Sequence, residues 1–148
     1  MRAVLVVCAL APALALAQPA LGGKRACLVS VIQASPGPKK GPLEVDAALR
    51  PFEAAFKSGA WKRFRSFKIV TQARYDATPG TRASLSVDKD QVQLAFAAGT
   101  QRDGKLHGTF GLGDKPGPFA LGADEVALRP ASASAKGQRL YGLHCPTP

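Results

Sequence analysis

The chain has 148 residues, enough for one domain and too few for a nucleotide-binding domain joined to a substrate domain. It carries 20 Lys+Arg against 10 Asp+Glu, a formal net charge of +10, with an ordinary globular apolar share of 46 %. Two His and three Cys exclude a His-rich metal site, a four-cysteine zinc ribbon and a disulfide-dense miniprotein.

Arg2 supplies a short positive end, and Ala3 to Ala17 is an uncharged apolar run closing on Ala15-Leu16-Ala17. Small residues at those closing positions are what a signal peptidase reads, so residues 1–17 are expected to be a signal peptide and 18–148 one small domain. The run is short for a bilayer and Pro12 interrupts it; no later stretch is apolar enough to cross a membrane. The protein is therefore expected to be exported, to the periplasm or the medium. Cys8 lies too early for lipid attachment, and the charged residues before Cys27 do not suit it. The two remaining cysteines, Cys27 and Cys145, read as one disulfide that places the first and last elements side by side. The other reading, a nucleophilic Cys145 activated by His144, is disfavoured because neighbours in a strand point to opposite faces.

Cys27 to Ala34 alternates with apolar groups on both faces, the pattern of a strand covered on both sides. Ser35 to Pro42 is a Pro- and Gly-rich loop. Val45, Leu49, Phe52 and Phe56 then fall at helical spacing. Pro51 is unwelcome inside a helix and welcome at its first position, so the pattern predicts a loose turn over Asp46 to Arg50 and a firm helix from Pro51 to Lys57, ended by Gly59.

From Phe67 the period changes to two. Phe67, Ile69, Thr71, Ala73 and Tyr75 should share one face. Further strands are expected around Ala83 to Val87, Val92 to Phe96, Leu106 to Leu112, Phe119 to Arg129 and Tyr141 to Cys145. Turns fall at Thr78-Pro79-Gly80, Asp88-Lys89-Asp90 and Asp103-Gly104, and loops at Asp114 to Pro118 and Ala131 to Gln138. The expected class is α+β: a single helix packed on a curled antiparallel sheet of five to six strands. A small β-sandwich or barrel with one helix is the alternative.

Chemistry is sparse. His107 and His144 are far apart in sequence and lack a third ligand at a recognisable spacing, so no metal site is expected. Asp88, Asp90, Asp124 and Glu125 belong to turns. Gly111-Leu112-Gly113 lacks the third glycine and helix of a dinucleotide site, and there is no Gly-x-Ser-x-Gly elbow. No catalytic residue, cofactor or enzymatic activity is expected.

The segment from Lys57 to Lys68 stands apart: five of its twelve residues are basic, none is acidic, and three aromatics are interleaved. Lys57, Trp61, Lys62, Arg63, Arg65 and Lys68 make a candidate anion-binding site for an anionic polymer, an acidic lipid surface or an acidic protein. Single-stranded nucleic acid fits the composition but not an exported protein. The same residues have a structural use, in which Trp61, Phe64 and Phe67 fill the core and the cations stay wet. The competing functional class is a component of an exported assembly, or an enzyme inhibitor, docking through the loops Ser35 to Pro42 or Asp114 to Pro118.

The stretch from Val45-Asp46 through Phe56, followed by Ser66-Phe67-Lys68-Ile69-Val70-Thr71-Gln72, resembles a loose pattern of small exported bacterial proteins of unassigned function. That resemblance implies the strand–helix–sheet order and no activity. The architecture also resembles cystatin-like folds, in which a helix lies across an antiparallel sheet. The inhibitory Gln-x-Val-x-Gly motif of those proteins is not matched by Gln91-Val92-Gln93-Leu94-Ala95, so the resemblance does not carry protease inhibition.

Overall fold

The computed structural model describes residues 25–37, 40–87, 89–98, 103–134 and 137–146; the expected signal peptide, residues 1–17, lies outside them. Among the described residues nine strands form two sheets: β1 (Arg25–Ser35), β2 (Glu44–Val45), β3 (Ser66–Ala77), β4 (Arg82–Val87), β5 (Asp90–Phe96), β6 (Leu106–Leu112), β7 (Gly117–Leu121), β8 (Val126–Ser134) and β9 (Gly137–His144). One sheet has the order β2-β3-β1-β9-β8 and the other β4-β5-β6-β7. Pairing is antiparallel throughout except for the short parallel contact of β2 with β3.

The expectation of a single curled sheet of five to six strands is thus corrected to two sheets. The reason lies in the apolar groups, which need three layers to cover them. Val29, Val31, Tyr141 and Leu143 of the five-stranded sheet meet Val92, Leu94, Phe96, Phe110 and Phe119 of the four-stranded sheet in one buried cluster. Ile32, Ala34 and Leu140 point to the opposite face, where Leu49, Phe52, Phe56 and Phe64 from the helical segment cover them. Strand β1 is central and covered on both sides, as its two apolar faces require.

The helical layer is broken where a firm helix over Pro51 to Lys57 was expected. A 3-10 helix spans Ala47–Phe52 with Pro51 inside it, and the α-helix α1 is only Glu53–Phe56. The tighter 3-10 turns bond three residues back rather than four and accommodate the proline without an α-helical carbonyl beneath its ring. Gly59, at φ +59°, then redirects the chain into a second 3-10 turn, Gly59–Arg63. The spacing of the apolar stripe holds all the same: Leu49, Phe52 and Phe56 are buried, and Val45 packs against them.

Strand β3 changes face midway, against the expectation of one shared face. Its register with β1 jumps from Val31↔Thr71 to Ile32↔Ile69, leaving Val70 as the extra residue of a β-bulge. Phe67 and Ile69 therefore face the helical layer, while Ala73 and Tyr75 face the sandwich core. Val70 is the exposed large apolar residue that results, at 44 %. The Ile69 N–H at the bulge donates to Asp46 Oδ2 at 2.8 Å, which ties the start of the helical segment to the irregularity.

The expected loop from Ala131 to Gln138 is mostly strand, because β8 runs to Ser134 and β9 starts at Gly137, with a register shift between Pro130 and Ala133. Likewise the expected loop Asp114 to Pro118 ends early, because Gly117 and Pro118 already belong to β7. Proline is tolerated there because β7 is an edge strand.

Cys27 and Cys145 form a disulfide with Cα atoms 4.2 Å apart, and β1 and β9 are hydrogen-bonded neighbours as the pairing required. Arg129 on edge strand β8 closes one side of the sandwich. Its guanidinium donates to the carbonyls of Phe110 at 3.2 Å and Pro118 at 2.6 Å, on the adjacent strands β6 and β7 of the other sheet. Among the described residues no helix is long and apolar enough to cross a membrane.

Candidate functional site: a basic groove at the end of the helical layer

The second 3-10 turn and the start of β3 bring most of the basic segment together. Phe64 N donates to Trp61 O at 3.0 Å, which ends the turn. Arg65 is then fixed by its backbone: its N–H donates to Ser35 O at 3.0 Å and its carbonyl accepts from Glu44 N at 2.8 Å. Beneath these residues runs an aromatic chain. Phe56 stacks on Phe67 with ring centroids 3.8 Å apart, and Phe64 meets Phe67 edge-on at 6.3 Å. Apolar side chains go in and cations stay out, because the stems of Lys and Arg can cover apolar surface while their heads remain in water.

The result is a groove of about 520 Å³ lined by Leu43, Phe56, Lys57, Lys62, Arg63, Phe64 and Arg65. Four of the six candidate residues line it. Lys57 is bound to Glu53 one helical turn earlier, at 2.7 Å, and that ammonium holds the Glu53 carboxyl below its usual range. The Arg63 guanidinium donates to Gln138 Oε1 at 2.9 Å and lies 4.8 Å over the Phe64 ring. Lys62 and Arg65 have neither a hydrogen bond nor an ion pair to their side chains among the described residues.

Two candidates are not part of the lining. Trp61 is half-buried and packs against the helical-layer core. Lys68 pairs with Gln33 between Ala34↔Phe67 and Ile32↔Ile69, so strand alternation turns it to the other face of the sheet. Sequence reasoning missed Leu43, Phe56 and Phe64 as lining residues. The Phe56–Leu43 proximity had no local signal, whereas the Glu53–Lys57 pair was visible in its i,i+4 spacing.

The two histidines take separate settings. His107 Nε2 lies 2.8 Å from Asp103 Oδ2 on the outer face of the four-stranded sheet. The Lys105 N–H and then His107 hold the Asp103 carboxyl below its usual value. His144 packs edge-on against Phe52 at a centroid distance of 6.2 Å, and burial pushes its pKa down while Asp124 opposes the shift. Among the described residues no three His, Cys, Asp or Glu side chains gather where a metal ion could be held.

A second groove, of about 570 Å³, crosses the outer face of the four-stranded sheet between Arg82 and Asp114, with Gln93, Ala95 and Thr109 as its floor. Its floor is uncharged, and the polar side chains beside it bond to one another: Gln91 and Gln93 bridge Ser84 and Ser86 at 3.0–3.1 Å.

Comparison with protein-family models, with curated proteins and with solved structures gives no match for this chain.

Proposed function

We propose that this chain is an exported, non-catalytic binding module that captures an anionic ligand in the groove at the end of its helical layer. The observation that carries this reading is the convergence of Lys57, Lys62, Arg63 and Arg65 on one groove that no acidic side chain lines among the described residues. One of these charges is offset by Glu53 and the others face the groove uncompensated, so the groove attracts anions at long range. The disulfide between Cys27 and Cys145 suits an oxidising compartment, and the N-terminal apolar run supplies the route there.

The test is binding of the protein to a panel of anionic polymers and acidic lipid vesicles across a salt series, with the Lys62→Ala, Arg63→Ala, Arg65→Ala triple variant beside it. The expected result is binding that weakens steeply with ionic strength and is lost in the variant. Binding indifferent to the variant, or none, returns these cations to solvated surface.

A further inference from the structure

Resting on that reading, we propose that the ligand is an anionic amphiphile of lipid origin: a single phosphate-type head held by Lys62 and Arg65, with an apolar chain against Leu43 and the exposed edge of Phe64. Three features of the groove choose this chemistry over a polymer. The first is the charge left over. Lys57 is neutralised by Glu53, and Arg63 is held by Gln138 and the Phe64 ring. Of the four cations lining the groove, Lys62 and Arg65 are the two without a side-chain partner among the described residues. Two cations match one phosphate monoester, which carries about −1.5 to −2 charges at neutral pH. A polyanion presents charge repeatedly along its length and is held by many cations in a row.

The second feature is the floor. Partly buried Leu43 and the edge of Phe64, at 6 % exposure, give the groove an apolar wall, and Phe56 backs that wall from within at 0 %. A purely ionic ligand gains nothing from that wall, whereas methylenes laid against it are withdrawn from water. The third feature is size. The volume of about 520 Å³ falls in the range of small-molecule sites, about 300–1,000 Å³. Lys68, which would extend the charge away from the groove along a polymer, is turned to the other face of the sheet.

The experiment uses protein purified from cells expressing the full chain and isothermal titration with four probes. These are dodecyl phosphate below its micellar concentration, inorganic phosphate, dodecyl maltoside and long-chain polyphosphate. Dodecyl phosphate is expected to bind at least tenfold tighter than either inorganic phosphate or dodecyl maltoside. Lys62→Ala/Arg65→Ala should weaken dodecyl phosphate at least tenfold, and the exposed-control variant Lys68→Ala should leave it unchanged. Leu43→Gln should weaken dodecyl phosphate and leave polyphosphate unaffected, which separates loss of the apolar wall from loss of charge. Circular dichroism on each variant confirms that the fold is retained. Polyphosphate binding that is tighter than dodecyl phosphate and insensitive to Leu43→Gln overturns the amphiphile and leaves the anion reading standing. Equal binding of dodecyl phosphate and dodecyl maltoside also overturns it. Failure of every anionic probe overturns both.

Discussion

The Tyr141 hydroxyl, on the interior strand β9 of one sheet, donates to the Asp90 carboxylate at the start of β5 in the other. Tyr141 is fully buried, so its ring fills the sandwich core while its polar tip crosses the gap between sheets. The bond ties together two sheets that share no backbone ladder. Tyr141→Phe keeps the ring and removes the donor, leaving a carboxylate short of one partner. Urea unfolding should show a loss of about 1.5–3 kcal/mol with an unchanged denaturant slope. An unshifted midpoint would show that the link contributes nothing.

Gly142 is the place where the helical layer sits down on the sheet. A Cβ there would lie 2.6 Å from Phe52 Cε1 and 2.8 Å from Phe52 Cζ, and Phe52 is itself buried. Gly142→Ala should therefore cost about 1–3 kcal/mol through overpacking. Combining it with Phe52→Leu, which withdraws the ring, should cost less than the two single changes summed. Additive effects in that double-mutant cycle would refute the steric account.

The Cys27–Cys145 bond closes a loop with a sequence separation of 118, and chain-entropy reasoning assigns such a loop about 4–5 kcal/mol. The paired variant Cys27→Ala/Cys145→Ala should unfold at a markedly lower guanidinium concentration than the native protein. Both cysteines should resist alkylation until a reductant is added, as read by mass spectrometry. Two thiols that alkylate without reduction would contradict the bond.

His144 makes stability depend on pH. Burial holds its pKa below the ordinary 6.5, so between the lowered folded value and 6.5 the unfolded chain binds more protons than the folded one. Stability from this group is therefore complete above 6.5, and it is lost as pH falls through that value until the folded histidine also protonates. His144→Gln should flatten this part of the stability–pH curve, and the NMR titration midpoint of His144 in the folded protein should fall below 6.5. A midpoint for His144 at or above 6.5 would remove the argument.

Much of the order of elements was legible because it rests on short-range patterns. The two apolar faces of β1, the period of two on either side of Val70 in β3 and the stripe Leu49, Phe52, Phe56 each survive in the fold. The bulge at Val70 was not legible. Period two continues through the sequence, and only the partner strand shows that Val70 has no counterpart, which flips Tyr75 away from the face of Phe67. In the basic segment, the division between inward aromatics and outward cations was readable from residue type. That Lys57 and Arg65 meet across one groove while Lys68 turns away depends on where the chain bends at Gly59 and on the strand pairing of β3.

By itself the sequence determined the strand-forming stretches, the turns at Gly80 and Gly104, the disulfide partners and the positive charge of the Lys57–Lys68 segment, because each depends on residues close together or on simple counting. The tertiary structure alone decided that nine strands divide between two sheets, that the helix shrinks to four residues, and that Leu43 and Phe56 lie beneath the cations. Alternation tells a strand which side chains to bury but not which of two layers will bury them. That choice is made by the packing of Val31, Tyr141 and Phe110 on one side of the central sheet and of Ile32, Phe52 and Leu140 on the other.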